Sequence, residues 1–153
     1  IDYAHTPAAL KSALKSIQEI IGRERIITLF GCGGDRDKNK RKIMGEIANE
    51  YSDIVIVTDD NPRNEIPSNI RSEILSGCPS ATEIPNRDKA IKYAVSLLKR
   101  NDLLLIAGKG HETFQAVGIE TLPFDDYTVA KEAIKNIEKS GIINWNLYGQ
   151  KTI

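Results

Sequence analysis

The sequence predicts a three-layer, Rossmann-like α/β sandwich with a mainly parallel sheet and an antiparallel hairpin at one edge. Three observations carry that expectation. The uninterrupted apolar runs Ile26–Phe30, Ile54–Val57 and Leu103–Ala107 read as strands buried on both faces. Amphipathic stretches at helical spacing separate them, so each strand reaches the next through a crossover, as parallel pairing requires. Each run also ends in a turn rich in glycine or charge, the pattern of strand ends that meet a ligand.

Taken in order, Thr6-Pro7 starts a helix, with Thr6 as N-cap and Pro7 at the first helical position. Leu10, Ala13, Leu14, Ile17 and Ile21 recur on one face, and Gly22 closes the helix. After the first strand, a second helix is marked by Ile43, Met44, Ile47, Ala48 and Tyr51. A third covers Pro67 to Leu75 and stops at Gly77, and Thr82-Glu83-Ile84 reads as a short edge strand. Asn86 caps a helix whose apolar face is Ala90, Ile91, Ala94, Val95 and Leu98. Beyond the Leu103–Ala107 strand, Thr113 to Phe124, with Gly118 at its middle, suits a β-hairpin. Asp126 is placed to cap a last helix through Val129, Ala130, Ala133, Ile134 and Ile137, closed by Gly141. One domain over 1–141 is expected, followed by an unassigned tail over 142–153 that Trp145 could dock.

Composition narrows the function. The 153 residues suffice for one domain with a real core. Lys+Arg and Asp+Glu balance at 21 each, so no overall field favours nucleic acid or an anionic membrane. No apolar stretch approaches the roughly 18 residues of a membrane span, and no signal peptide is evident. Cys32 and Cys78 form no metal-ligand spacing with His5 or His111 and read as reduced thiols, which points to the cytoplasm. The chain opens on Ile1-Asp2-Tyr3-Ala4-His5 without an initiator Met and reads as a piece of something longer.

In such a sheet the carboxyl ends of the strands share one rim. That rim would gather Gly31 to Asp37, Asp59 to Arg63 and Gly108 to Glu112. Arginine grips a carboxylate or phosphate through two parallel hydrogen bonds, while Asp and Glu suit an ammonium group. Both kinds together fit a zwitterionic small molecule better than a polyanion. A self-sufficient phosphate site is not evident: neither G-x-x-x-x-G-K followed by Ser or Thr nor G-x-G-x-x-G occurs. Asp35 sits where an anion would be repelled. The Gly108-Lys109-Gly110-His111 turn has a lysine but lacks the long loop and the hydroxyl. The basic run Lys38, Lys40, Arg41 and Lys42 reads as a solvated helix start, and His111 as a solvated loop residue.

Four motifs in order carry a resemblance. Asp2-Tyr3-Ala4-His5-Thr6-Pro7, Phe30-Gly31-Cys32-Gly33-Gly34-Asp35-Arg36-Asp37, Asp60-Asn61-Pro62-Arg63 and Ala107-Gly108-Lys109-Gly110-His111-Glu112 resemble the C-terminal domain of the Mur ligases. The likeness is greatest to those that add meso-diaminopimelate, and it extends to about Ile137. It implies a domain that binds the incoming amino acid within an ATP- and magnesium-dependent ligase of peptidoglycan synthesis. In that reaction ATP phosphorylates the D-glutamyl carboxyl of UDP-MurNAc-L-Ala-D-Glu, and the amino acid's amine attacks the acyl phosphate. ATP and magnesium would sit mainly in a central domain carrying the P-loop, so this chain alone is expected to be inactive.

The resemblance also implies roles. Arg63, in the motif with Asp60 and Pro62, would pair with the distal carboxylate of meso-diaminopimelate. Asn61 and Glu112 would engage the zwitterionic end, Gly108 would offer backbone, and Arg36 would hold another carboxylate. Asp2 would contact the ATP ribose, with His5 close to the phosphates. No catalytic base and no metal ligand is assigned within the chain. Two alternatives stand beside this reading: an L-lysine-adding ligase, against which Arg63 argues, and a free-standing amino-acid-binding module.

Overall fold

The computed structural model describes residues 1–21 and 24–139. The three apolar runs form β1 (Ile26–Phe30), β2 (Ile54–Val57) and β4 (Leu103–Ile106), joined by a two-residue β3 (Thr82–Glu83). Their order is β3-β2-β1-β4, and every pairing is parallel. Thr28 lies opposite Val55 on one side and Leu105 on the other, so β1 is central.

Strand side chains alternate between faces, and here both faces are dry. Ile26, Phe30, Val55, Val57 and Leu105 share one core; Ile27, Leu29, Ile56 and Ile106 share the other. Helices α1 (Pro7–Ile21), α2 (Asn39–Tyr51) and α3 (Pro67–Leu75) cover the first face through Leu10, Leu14, Met44, Ile47, Ile70 and Ile74. Helices α4 (Arg87–Ser96) and α5 (Asp126–Lys139) cover the second through Ala90, Ile91, Ala94, Ala130 and Ala133. The three layers follow from the alternation of apolar runs and amphipathic helices. Thr28 is polar yet buried, and its hydroxyl meets Ser52 Oγ at 2.7 Å.

Helix starts follow the expected chemistry twice and depart from it once. Thr6 Oγ1 accepts from the Ala9 N–H at 3.3 Å, and Asn86 Oδ1 accepts from the Lys89 N–H at 2.9 Å. At α5 the cap is Asp125, which accepts from the N–H groups of Tyr127 and Thr128. Asp126, the first helical residue, turns inward onto Arg87 instead. Two adjacent aspartates offer the same cap chemistry, and only the packing of α5 on α4 separates them.

The hairpin forms as expected from β5 (Phe114–Val117) and β6 (Glu120–Pro123), turning at Gly118 with φ +56°. It does not extend an edge of the parallel sheet, however; it is a separate two-stranded sheet bridged to Arg63 through Val117. Its residues are exposed or half-buried on both faces, so it has no apolar face to insert between helix layers. The outer side of β4 is met at its carboxyl end by Asp2. Its N–H donates to the Ile106 carbonyl at 2.9 Å, and its carbonyl accepts from Gly108 N–H at 3.2 Å.

Cys32 and Cys78 are unpaired and buried, and burial pushes their thiols up to about 12 and about 11. No helix among the described residues is long and apolar enough to cross a membrane. The expected helix stops Gly22 and Gly141, and the segment 142–153 with Trp145, lie outside the described residues.

Candidate functional site

The strand order reverses direction at β1 and β4, whose onward connections lead to α2 on one face and α5 on the other. Open α/β sheets bind ligands at this kind of point, outside the carboxyl ends. A cavity of about 550 Å³ opens there. Arg36, Asp60, Asn61, Arg63, Gly108 and Glu112 line it, together with His5, Lys40 and Asp37. The sequence-predicted residues thus converge from the ends of β1, β2 and β4. Pro62 is buried and does not line the cavity.

Two loops are zipped together to build this wall. Gly34 N–H donates to the Asn61 carbonyl at 2.9 Å, and Arg63 Nη1 donates to the Gly34 carbonyl at 2.9 Å. The approach is so close that a Cβ on Gly34 would overlap the Pro62 carbonyl oxygen. Gly108 has φ +110°, and a Cβ there would lie 2.8 Å from Asp60 Oδ2. Gly34 is therefore demanded by backbone proximity, and Gly108 by its positive φ and the Asp60 carboxylate beside it. Arg63 itself adopts φ +51°, an unfavourable conformation for an L-residue. The hairpin holds it there: Arg63 N–H donates to Ala116 O at 3.0 Å, and Arg63 O accepts from Gly118 N–H at 2.7 Å.

Arg36 and Arg63 differ from the other arginines with described ion pairs. Arg25, Arg41, Arg71 and Arg87 each pair with a carboxylate. Among the described residues Arg36 and Arg63 donate only to backbone carbonyls, those of Asp35, Gly34 and Asn61. Two guanidinium groups thus line one cavity with no carboxylate of the described residues bonded to either. Asn61 Nδ2 donates to Glu112 Oε2 at 2.9 Å, and Gln115 Nε2 to the Asp60 carbonyl at 2.6 Å.

Several rim residues do not reach this cavity. Asp59 turns away to Arg71, and burial raises its carboxyl above the usual range despite that guanidinium. Asp2 and His111 border a smaller neighbouring hollow with Tyr3 and Gly110. His5 lines the main cavity, its Nδ1 2.8 Å from the Tyr3 carbonyl. Asp2 and His5 share one segment but face different hollows.

The basic run is not simply a solvated helix start. Arg41 is fully buried, gripping Glu65 and Glu73 and donating to the Gly33 carbonyl at 3.3 Å. Glu65 also accepts from Asp35 N–H at 2.7 Å, so this pair clamps the two cavity loops from behind. Bonding to Arg41, and then to Asp35 N–H, holds the Glu65 carboxyl down to about 2. Its ordinary value of 4.5 is higher, so its stabilisation is complete above that pH and is lost as pH falls toward about 2. Glu65→Gln is therefore expected to lower stability at neutral pH and to flatten this acid limb. Urea midpoints at a series of pH values check it; an unchanged limb would remove Glu65 as the titrating group.

Residues 1–110 match the family model described as Mur ligase, glutamate ligase domain. The chain belongs to the Mur ligase family. It is 54% identical over 142 residues to the UDP-N-acetylmuramoyl-L-alanyl-D-glutamate–2,6-diaminopimelate ligase of Agrobacterium fabrum, covering 93% of this chain and 29% of that protein. The Rickettsia rickettsii ligase of the same name is 53% identical over 138 residues, with 88% and 29% covered. A solved structure with that ligase name superposes with TM-score 0.82 at 38% identity, covering 88% of this chain and 28% of that one. The E. coli FolC structure with ADP shares the fold alone, at TM-score 0.58 and 17% identity. This Mur ligase chain therefore spans under a third of the length of the curated relatives it matches.

Proposed function

We propose that this chain is the amino-acid-binding domain of an ATP-dependent ligase that joins meso-diaminopimelate to UDP-MurNAc-L-Ala-D-Glu. The observation that carries this reading is the pair of cavity guanidiniums, Arg36 and Arg63, bonded to carbonyls but to no carboxylate among the described residues. Meso-diaminopimelate has two carboxylates and two ammonium groups. Arg36 and Arg63 would take the carboxylates, Glu112 an ammonium, and Gly108 would lend backbone at the close approach to Asp60. L-lysine lacks the second carboxylate and would leave Arg63 facing nothing.

Enzymes of this family use ATP, whose part is to activate the D-glutamyl carboxyl; this chain's part is to present the incoming amine. Its own residues do not fit magnesium or a triphosphate as a complete site. Among the described residues no three His, Cys, Asp or Glu side chains gather as a metal would require, and exposed Asp35 and Asp37 stand beside the glycines after β1. The nucleotide reading of Asp2 and His5 would need a longer protein to supply the remaining contacts.

An NMR titration with meso-diaminopimelate and then L-lysine tests the reading. Shifts at Arg36, Asn61, Arg63 and Glu112 with the first alone are expected. Equal responses to both would mean that Arg63 does not read a second carboxylate.

A further inference from the structure

Lys109 belongs to the same turn as Gly108 and Glu112, yet it does not line the cavity, and its side chain is fully buried. Its Nζ donates to Asn61 Oδ1 at 2.9 Å and to Glu112 Oε2 at 3.2 Å. The Ala116 N–H donates to the same Asn61 Oδ1 at 3.0 Å. Nζ also lies over the ring of Phe114, 5.5 Å from its centroid.

This arrangement decides how Asn61 is turned. An ammonium and a backbone N–H can only donate, so the Asn61 atom facing both must be the oxygen. Its NH₂ is then directed to Glu112 Oε2, which accepts from both Asn61 and Lys109. What remains for a ligand is the second N–H of Asn61 and the other oxygen of Glu112. One donor and one acceptor are left at a fixed separation, the pattern that the carboxylate and ammonium of an amino acid require.

We propose that Lys109 is a positioning residue that never touches the ligand and locks Asn61 and Glu112 into that donor–acceptor pair. The class of ligand rests on the proposed function; the lock does not. Without the ammonium, Asn61 keeps only the Ala116 N–H to orient it, and Glu112 loses the cation that draws it to the cavity wall.

The test uses ¹H–¹⁵N spectra of the chain with Lys109 replaced by methionine (K109M) or by glutamine (K109Q), which keeps a neutral donor. The native Asn61 side-chain NH₂ pair should be well separated and slow to exchange. In K109M that separation should collapse and exchange should accelerate, with K109Q intermediate. Affinity for meso-diaminopimelate should fall on the order of tenfold in K109M, as expected for losing a charged hydrogen-bond partner. In a longer protein carrying this chain the loss should appear in KM for the amino acid before kcat.

An Asn61 pair unchanged in both folded variants overturns the proposal, as does loss of fold in both, which would make Lys109 a residue of core stability only. If the native chain ignores meso-diaminopimelate while the Asn61 pair still depends on Lys109, the substrate reading fails and the lock stands. If native and variant chains bind it equally with the Asn61 pair unchanged, the lock fails and the substrate reading stands.

Discussion

Arg63→Ala is expected to lower use of meso-diaminopimelate about 30- to several-thousand-fold while leaving the weak use of L-lysine little changed. Truncating one partner of a buried, hydrogen-bonded charge pair costs about 2–5 kcal/mol, which converts to that range. The loss is selective because only one of the two amino acids brings a carboxylate to that point. Alanine, rather than glycine, keeps the backbone comparison fair, since both Arg and Ala are L-residues at the φ of +51° that this position requires. The substitution removes the side-chain bond to the Gly34 carbonyl. The main-chain bonds to Ala116 and Gly118 and that from Gly34 N–H to the Asn61 carbonyl survive it, so the loop is expected to stay in place. Arg63→Lys should lie between, keeping the charge but losing the planar fork. The ratio of kcat/KM for the two amino acids, measured in a longer protein carrying this chain, is the readout. A shift in that ratio of less than about threefold, under 1 kcal/mol, would remove Arg63 from specificity.

Most of the scaffold was legible because its signals are local. The runs Ile26–Phe30, Ile54–Val57 and Leu103–Ala107 read as interior strands, and the first two match the observed elements while the third runs one residue past its strand. The rim was legible for the same reason: parallel strands must deliver their ends to one side. What sequence could not resolve was which charged side chain turns inward. Arg41 sits in a run with Lys38, Lys40 and Lys42, and helical phase alone does not reveal that Glu65 and Glu73 wait behind it. Lys109 was visible as a lysine between glycines, but its burial depends on Asn61 and Glu112 meeting it from a distant strand end and a turn. Asp125 and Asp126 are equivalent as caps until α4 is in place. The hairpin showed its turn but not its partner, because Arg63 joins it through backbone alone. In each case the missing information is long-range pairing of charge or backbone, which no window of neighbouring residues contains.

The largest stability effect is expected at Arg87–Asp126. Both side chains are fully buried, with Arg87 Nε and Nη2 each 2.7 Å from one Asp126 carboxylate oxygen. Burial opposes the charge on Arg87, and the Asp126 carboxylate more than offsets it, so the guanidinium stays ionised. Asp126→Ala leaves that cation without its partner in a dry site and should cost about 3–5 kcal/mol. Replacing both by apolar residues often recovers such a loss, because the desolvation penalty disappears with the charges. Here recovery should be incomplete. Arg87 also donates to the Ala107 carbonyl at 3.1 Å and the Asp59 carbonyl at 3.3 Å, which the apolar pair would leave without that donor. Those carbonyls belong to the ends of β4 and β2, the two strands that deliver Gly108 and Asn61 to the cavity. The double variant R87M/D126L should therefore unfold at lower urea than the native chain but higher than Asp126→Ala, with the cavity residues showing the largest chemical-shift changes. Full recovery of stability with unchanged cavity shifts would mean that Arg87 serves only its ion pair and does not brace the rim.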